Sequence, residues 1–524
     1  MACALLRRIS SVTCLIMWPR RCTVPLASPT RLLAGENQKL CFDTAGPTGG
    51  THHDPRDLHD ENRLAAAAIL HGHCGTVGSF AVRQSLGRGL DDFNMIKLFP
   101  QILAVRQTFP QAPPVDIRAT LQDEFAKILP KLKPGARVAV AVGSRGITNL
   151  QRIVATVLDL LKAAGARPFI VPAMGSHGGA TSEGQKELLA EYGIREDLLQ
   201  VPICAAMDVE RLGVTEEGLE VVWSGEALRA DGVVIVNRVK PHTDFSGALG
   251  SGILKMMVVG LGKHSGAAKY HTAAVHLGYE HVLRTSARLI LRSAPILCGV
   301  AIVENQLHET AKMAVLLPEE MERREEELFQ EAKRLMPSLP FDDIDLLIVD
   351  RLGKNISGSG MDPNIIGRGV HGYESFLGKV NERTPLIRRV FVRDLTPQTH
   401  GNAIGVGLAD VTTTRLVRAM NPQVTFINAL TSLALQCAKI PMHFDTDREA
   451  IGHALNSLAL PELRHAKVVR IADTLSLEWL EISEACAEGN QPKARLEPCG
   501  TLHEMSFDAD GNLLPLTAGK GSDL

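Results

Sequence analysis

Aromatic residues make up only 4% of the 524-residue chain, so a surface for stacking bases is not expected. Neither sign of charge dominates: 56 Lys and Arg stand against 58 Asp and Glu, a net charge of −2. That balance excludes a chain-wide basic field for nucleic acid and an acidic tail. No apolar run reaches about 18 residues, so no segment is expected to span a bilayer. Only five of the ten cysteines lie beyond residue 94, widely scattered, and none forms a C-x-x-C pair. A disulfide framework or structural zinc site is therefore not expected, and a reducing compartment fits best. Walker A, G-x-S-x-G and H-E-x-x-H sequences are also missing. Glycine, by contrast, is plentiful at 46 residues, which favours an α/β protein with many tight strand-to-helix turns.

Residues 1–94 differ from the rest. Arg7, Arg8, Arg20, Arg21 and Arg31 all precede the first acid, Glu36, and a Gly/Pro/His-rich stretch follows from Thr44. A targeting peptide, a disordered extension, or an upstream stretch before a working start near Met95 each accounts for this composition. All three leave residues 1–94 outside the fold.

From residue 137 the pattern repeats as strand, loop, helix. Arg137–Val142, Pro168–Pro172 and Gly232–Asn237 read as buried strands. Each runs into a Gly-rich or polar loop: 143–148, 175–179 and 240–247. Asn149 and Thr181 or Ser182 are placed to cap the helices that follow the first two. Residues 318–336 read as a charged helix, solvated or bridging two lobes. Beyond Pro340, strands are expected at 345–349, 390–392 and 424–427, and helices around 411–420 and 446–456. The expected fold class is α/β, with two Rossmann-like lobes and the active site in the cleft between them. An N-terminal domain is expected over 95–325, a C-terminal domain over 326–505 and a tail over 506–524.

In a parallel sheet these loops share the carboxyl edge, where ligands bind. Arg145, His177 and His242 would then meet on one rim. The glycines around His177 allow backbone to approach a ligand. A guanidinium such as that of Arg145 suits bidentate grip of a carboxylate. Two imidazoles near neutrality beside such an arginine suggest acid–base chemistry on a small acid. Placed on opposite faces of one carbon, they would fit racemisation or epimerisation. The run Gly247–Gly252 leads to Lys255, with His271 beyond it; as a dinucleotide fingerprint it is weak, since no strand precedes it in the required pattern.

The ordered set Gly175-Ser-His-Gly-Gly-Ala-Thr-Ser-Glu183, Pro241-His242, the Gly-rich run to Lys255, then His271 and Gln436-Cys-Ala-Lys439 resembles the nickel-pincer-dependent lactate racemase family. The resemblance runs from about Arg145 to about Asp473. It implies a pyridinium-3-thioamide-5-thiocarboxylic acid mononucleotide that carries nickel in an SCS pincer and is tethered to Lys255. His271 would ligate the nickel, a role suited to neutral imidazole. His177 and His242 would be the general acid/bases, and Arg145, Gln436 and Lys439 would grip the substrate. The implied reaction is proton-coupled hydride transfer at the hydroxyl-bearing Cα of a 2-hydroxy acid, and the implied partners are that acid and the proteins that build the pincer.

The chain departs from the pattern at Val142, where the lactate enzyme has an acid, and in a longer stretch between His271 and Gln436. That stretch holds Asn355–Arg368 and Thr396–Gly401, loops that would shape a pocket for a larger 2-hydroxy acid or sugar acid. His264 is a rival nickel ligand. Two other readings use the same residues: a zinc-dependent hydrolase or lyase, and a non-catalytic small-acid binding protein. The expected location is cytoplasmic.

Overall fold

The structure, a computed structural model, describes residues 99–516 apart from 111–112, 144–145, 244, 246, 371–384 and 490–491. Arg145 and the extension 1–94 thus lie outside the described residues. In chain order the strands are β1 (Ile102–Thr108), β2 (Arg137–Val142), β3 (Arg167–Pro172), β4 (Val209–Val214) and β5 (Glu220–Ser224). Next come β6 (Gly232–Arg238), β7 (Ile296–Glu304), β8 (Thr310–Leu316), β9 (Asp343–Leu352) and β10 (Leu386–Leu395). The last are β11 (Val411–Thr413), β12 (Met442–Phe444), β13 (Val468–Ile471), β14 (Trp479–Ser483) and β15 (Arg495–Pro498).

A five-stranded sheet runs β3-β2-β6-β7-β8. Its first four strands are parallel and β8 is antiparallel. The strands read as unbroken apolar runs because both faces are covered. Ala139, Ala141, Val233 and Ile235 point into one core, and Val138, Val140, Val234 and Val236 into the other. An eight-stranded sheet runs β12-β11-β10-β9-β13-β14-β1-β15. It too is packed on both faces, with Leu347 and Val349 on one side and Leu346 and Ile348 on the other. The described chain therefore starts in the second sheet with β1, builds the first over residues 137–316, and returns. The mixed α/β class read from the sequence holds.

Three local readings are corrected. Residues 424–427 are helical, within Pro422–Thr431. The Asn421 side chain caps that helix at Val424 N and Pro422 sits in its first turn, which outweighs the β-branched content. Asn149 does not cap by its side chain; its backbone is left-handed (φ 62°) and its amide donates to Thr310 Oγ1 at 3.1 Å. The helix placed around 411–420 starts only at Thr414, because Val411–Thr413 pairs with β10. Thr181, as expected, caps the helix Ser182–Glu191. The charged helix spans Met321–Arg334, and one face of it is core: Met321, Glu325, Leu328, Phe329 and Ala332 are buried. Part of the expected tail is also packed, with Leu513 buried and Leu514 O accepting from Arg470 at 2.8 Å.

Candidate active site

Register fixes the rim. Val142 pairs with Pro172 on one side and with Val236 on the other, so β2, β3 and β6 end level. The loops carrying His177 and His242 leave this carboxyl edge together.

His177 begins a tight turn over Gly178–Ala180 in which Gly178 and Gly179 both have φ 64°. A side chain at Gly178 would collide with the backbone of Gly184, its Cβ falling 2.5 Å from Gly184 C. Only glycine lets this turn close on the following helix. Buried Gln185 braces it, donating to Gly175 O at 3.0 Å and to His177 O at 3.3 Å. The buried Lys263 amine donates to Pro172 O at 2.7 Å, just before the turn; burial pushes it down to about 8.

His242 is 9% exposed and stacks on Phe245, ring centroids 4.3 Å apart. Its Nε2 is hydrogen-bonded to Lys255 Nζ. Its carbonyl accepts from Asn364 Nδ2 at 3.1 Å, a contact reaching across from the loop after β9. Lys255 ends the turn Ile253–Lys255 and is followed by a π-helical stretch, Met256–Gly260. Such stretches are rare and concentrate at functional sites. Trp223 Nε1 holds this one by donating to Met257 O at 2.8 Å.

His271 lies on the helix Lys263–Leu277. Burial, aided by the Lys255 charge, pushes its imidazole down to about 4, so it is neutral at pH 7. Tyr279 stands between the two imidazoles, its ring centroid 6.3 Å from that of His242 and 6.2 Å from that of His271. His242 and His271 thus flank Tyr279, and Lys255 bonds the first and acts by its charge on the second. The rival His264 is exposed at the start of the same helix as His271.

Gln436 and Lys439 belong to the part of the chain built on the second sheet. Gln436 Nε2 donates to Gly407 O at 3.2 Å, and Lys439 is exposed. Val142, where an acid was expected by resemblance, is a fully buried strand end, so the site takes no carboxylate from that position. Among the described residues no group of three or more His, Cys, Asp or Glu is placed to hold a metal. For the pincer group that the resemblance implies, a single neutral imidazole would serve as a metal ligand and the Lys255 amine as the point of attachment. The amine and imidazole present therefore fit such a group.

Sequence reasoning missed Tyr279, Gln185, Asn364 and Glu325. Asn364 lay inside the loop singled out as shaping a pocket. Glu325 had a signal: it interrupts the helical spacing of Met321, Leu328, Phe329 and Ala332. The glycines of the 247–252 run serve packing. A Cβ at Gly250 would stand 2.5 Å from Lys240 O, and one at Gly252 would stand 2.0 Å from Glu325 Oε1.

Burial pushes the Glu325 carboxyl from 4.5 up to about 7, while the amides of Leu254 and Ile253 pull the other way. The folded state holds this proton more tightly than the unfolded chain does. The cost of burying the charge is thus absent below about 4.5, grows as pH rises from there, and is complete above about 7. Glu325→Gln is expected to gain about 1–3 kcal/mol over the wild type near pH 8 and nothing near pH 4. Urea titrations at the two pH values read this, and equal gains at both would sink it.

Residues 116–281 match the family model described as the lactate racemase N-terminal domain. No curated protein matches the chain. Among solved structures, the lactate racemase apoprotein from Thermoanaerobacterium thermosaccharolyticum is similar at 12% identity, covering 72% of this chain and 99% of that one, with a TM-score of 0.43. A structural-genomics target from Thermotoga maritima is similar at 11% identity, covering 70% of this chain and 99% of that one, with a TM-score of 0.45. His177, His242, Lys255 and His271 all fall within the matched segment. Over residues 116–281 the chain is thus similar to a lactate racemase N-terminal domain.

Proposed function

We propose that the chain is a racemase or epimerase of a 2-hydroxy acid, working with a nickel-pincer nucleotide attached at Lys255. One observation carries the reading: the Lys255 amine meets His242 Nε2 beside an imidazole, His271, held neutral by burial. When bound, the pincer nucleotide supplies an acceptor for the hydride of the substrate Cα. With the group attached at Lys255, the amine would no longer occupy His242 Nε2, and that nitrogen could take the substrate hydroxyl proton. His177, on the neighbouring loop of the same rim, handles the proton for the other stereoisomer. Arg145, Gln436 and Lys439 hold the carboxylate and adjacent oxygens. Phe245 and Tyr279, stacked 5.0 Å apart, wall the site against water. We place this site in a cleft between two Rossmann-like lobes, a position supported by the bond from Asn364 to His242 O. No helix among the described residues is long and apolar enough to cross a membrane. We propose a cytoplasmic enzyme loaded by the pincer-building proteins.

The test is to co-express the full chain with those proteins, take an intact mass, and map the adduct. Single enantiomers of 2-hydroxy acids are then incubated and read by chiral chromatography. The expected result is an adduct on Lys255 and the appearance of the opposite stereoisomer. An unmodified, nickel-free protein overturns the proposal. Zinc bound without an adduct would instead support a hydrolase or lyase, and acid binding without exchange of the Cα hydrogen a binding protein.

A further inference from the structure

The stretch Gly247–Lys255, which carries the proposed attachment lysine, is gripped by side chains from three elements. Glu280 accepts from Ala248 N at 2.9 Å, and Lys333 donates to Gly247 O at 3.0 Å. Asn237, on β6, donates to Gly252 O at 2.8 Å. Backbone bonds of 2.8 and 2.9 Å tie Lys240 to Ser251. The innermost contact is Glu325, whose carboxyl is fully buried. Its Oε2 accepts from Leu254 N at 2.9 Å, and its Oε1 fills the space that a side chain at Gly252 would need.

A packing role alone does not explain a carboxyl here. The same helix face is otherwise Met321, Leu328, Phe329 and Ala332, and a leucine would bury without cost. What a leucine cannot do is accept from the first amides of the turn that ends in Lys255. Gly252 and Glu325 are complementary, because the missing side chain of one makes room for the oxygen of the other.

We propose that Glu325 is a positioning residue for Lys255: by holding Leu254 N and seating Gly252, it fixes the turn that aims the amine at His242. The inference rests on the reading of Lys255 as the attachment site, but its test does not need the cofactor. The full chain, prepared without pincer, is treated with N-hydroxysuccinimidyl acetate, and acetylation is followed lysine by lysine by peptide mass spectrometry. Glu325→Leu keeps the volume and loses the acceptor. Lys255 then leaves His242 and is acetylated about tenfold faster, the scale of one lost hydrogen bond. Lys439 keeps its wild-type rate. Glu325→Gln retains an acceptor oxygen and returns Lys255 to within about twofold of the wild type. Gly252→Ala, which pushes a methyl into Oε1, behaves as Glu325→Leu. In cells that make the pincer, adduct yield falls in the same order.

Unchanged Lys255 rates in both Glu325→Leu and Gly252→Ala overturn the proposal, as does a Glu325→Gln chain that reacts like Glu325→Leu. Loss of fold in both disruptive variants, read by circular dichroism, overturns it in favour of a purely structural carboxyl. A wild-type chain that never takes the adduct overturns the function proposed above, while the acetylation order still decides the role of Glu325.

Discussion

Glutamine at His242 or at His177 is expected to slow interconversion of the two stereoisomers by about 10³-fold, the scale of a lost general acid–base. The two losses differ in a way that a single essential base would not show. If each imidazole serves one stereoisomer, each variant still takes the hydroxyl proton from the isomer facing its remaining histidine. It then accumulates about one equivalent of 2-oxo acid per loaded site and fails to complete the return on the other face. Single-turnover incubation of each isomer with each variant, with the 2-oxo acid trapped as a hydrazone, reads this directly. Variants that both oxidise the same isomer, or that both still racemise, remove the two-base assignment. Folding should survive either change. His242 is held by its stack on Phe245 and by Asn364 at its backbone, and the His177 turn by Gln185 at two carbonyls. Glutamine leaves the backbone bonds of both in place.

How much of this site the sequence shows depends on the range over which each signal acts. Strands β2, β3 and β6 were legible because burial on both faces leaves continuous apolar runs, and their polar loops were legible as the ends of those runs. The common rim of His177 and His242 follows from parallel neighbours, a topological regularity that needs no side-chain detail. Packing partners far apart in the chain were not legible. Asn364 meets His242 from 122 residues away, and Glu325 meets Leu254 from 71. No local pattern records such a meeting, except that an acid on an apolar helical face asks for a buried donor. The strand expected at 424–427 fails for a local reason: Asn421 and Pro422 make a helix start just before it. The return of β1 into the second sheet is equally invisible locally, since a strand's sequence does not name its neighbour.

Arg470→Met is expected to cost about 3–5 kcal/mol, because it leaves a buried carboxylate without its cation. Arg470, on β13, is nearly buried and forks to Asp350 on β9 at 2.9 and 2.8 Å. A third nitrogen reaches Glu481 on β14 at 2.9 Å. Asp350 keeps a second partner when Arg470 is removed, since Arg393 lies 3.2 Å away. Glu481, only 3% exposed at its side chain, has Arg470 as its ion-pair partner among the described residues. The cost therefore falls on Glu481, and Arg470→Met with Glu481→Gln should recover most of it by replacing a stranded charge with a neutral amide. Urea unfolding of the two single variants and the double variant measures the coupling. Near-additive losses would place the cost in lost packing of the guanidinium stem instead. The outcome bears on the site as well, because Arg470 also holds Leu514 O and, through Asp350, shares the charge cluster of Arg393 and Asp447. That cluster lies near the carboxyl ends of β9 and β10, and the loop leaving β9 carries Asn364 to His242. A slackened cluster should loosen that loop, so Arg470→Met is expected to weaken substrate turnover under conditions where the fold itself persists.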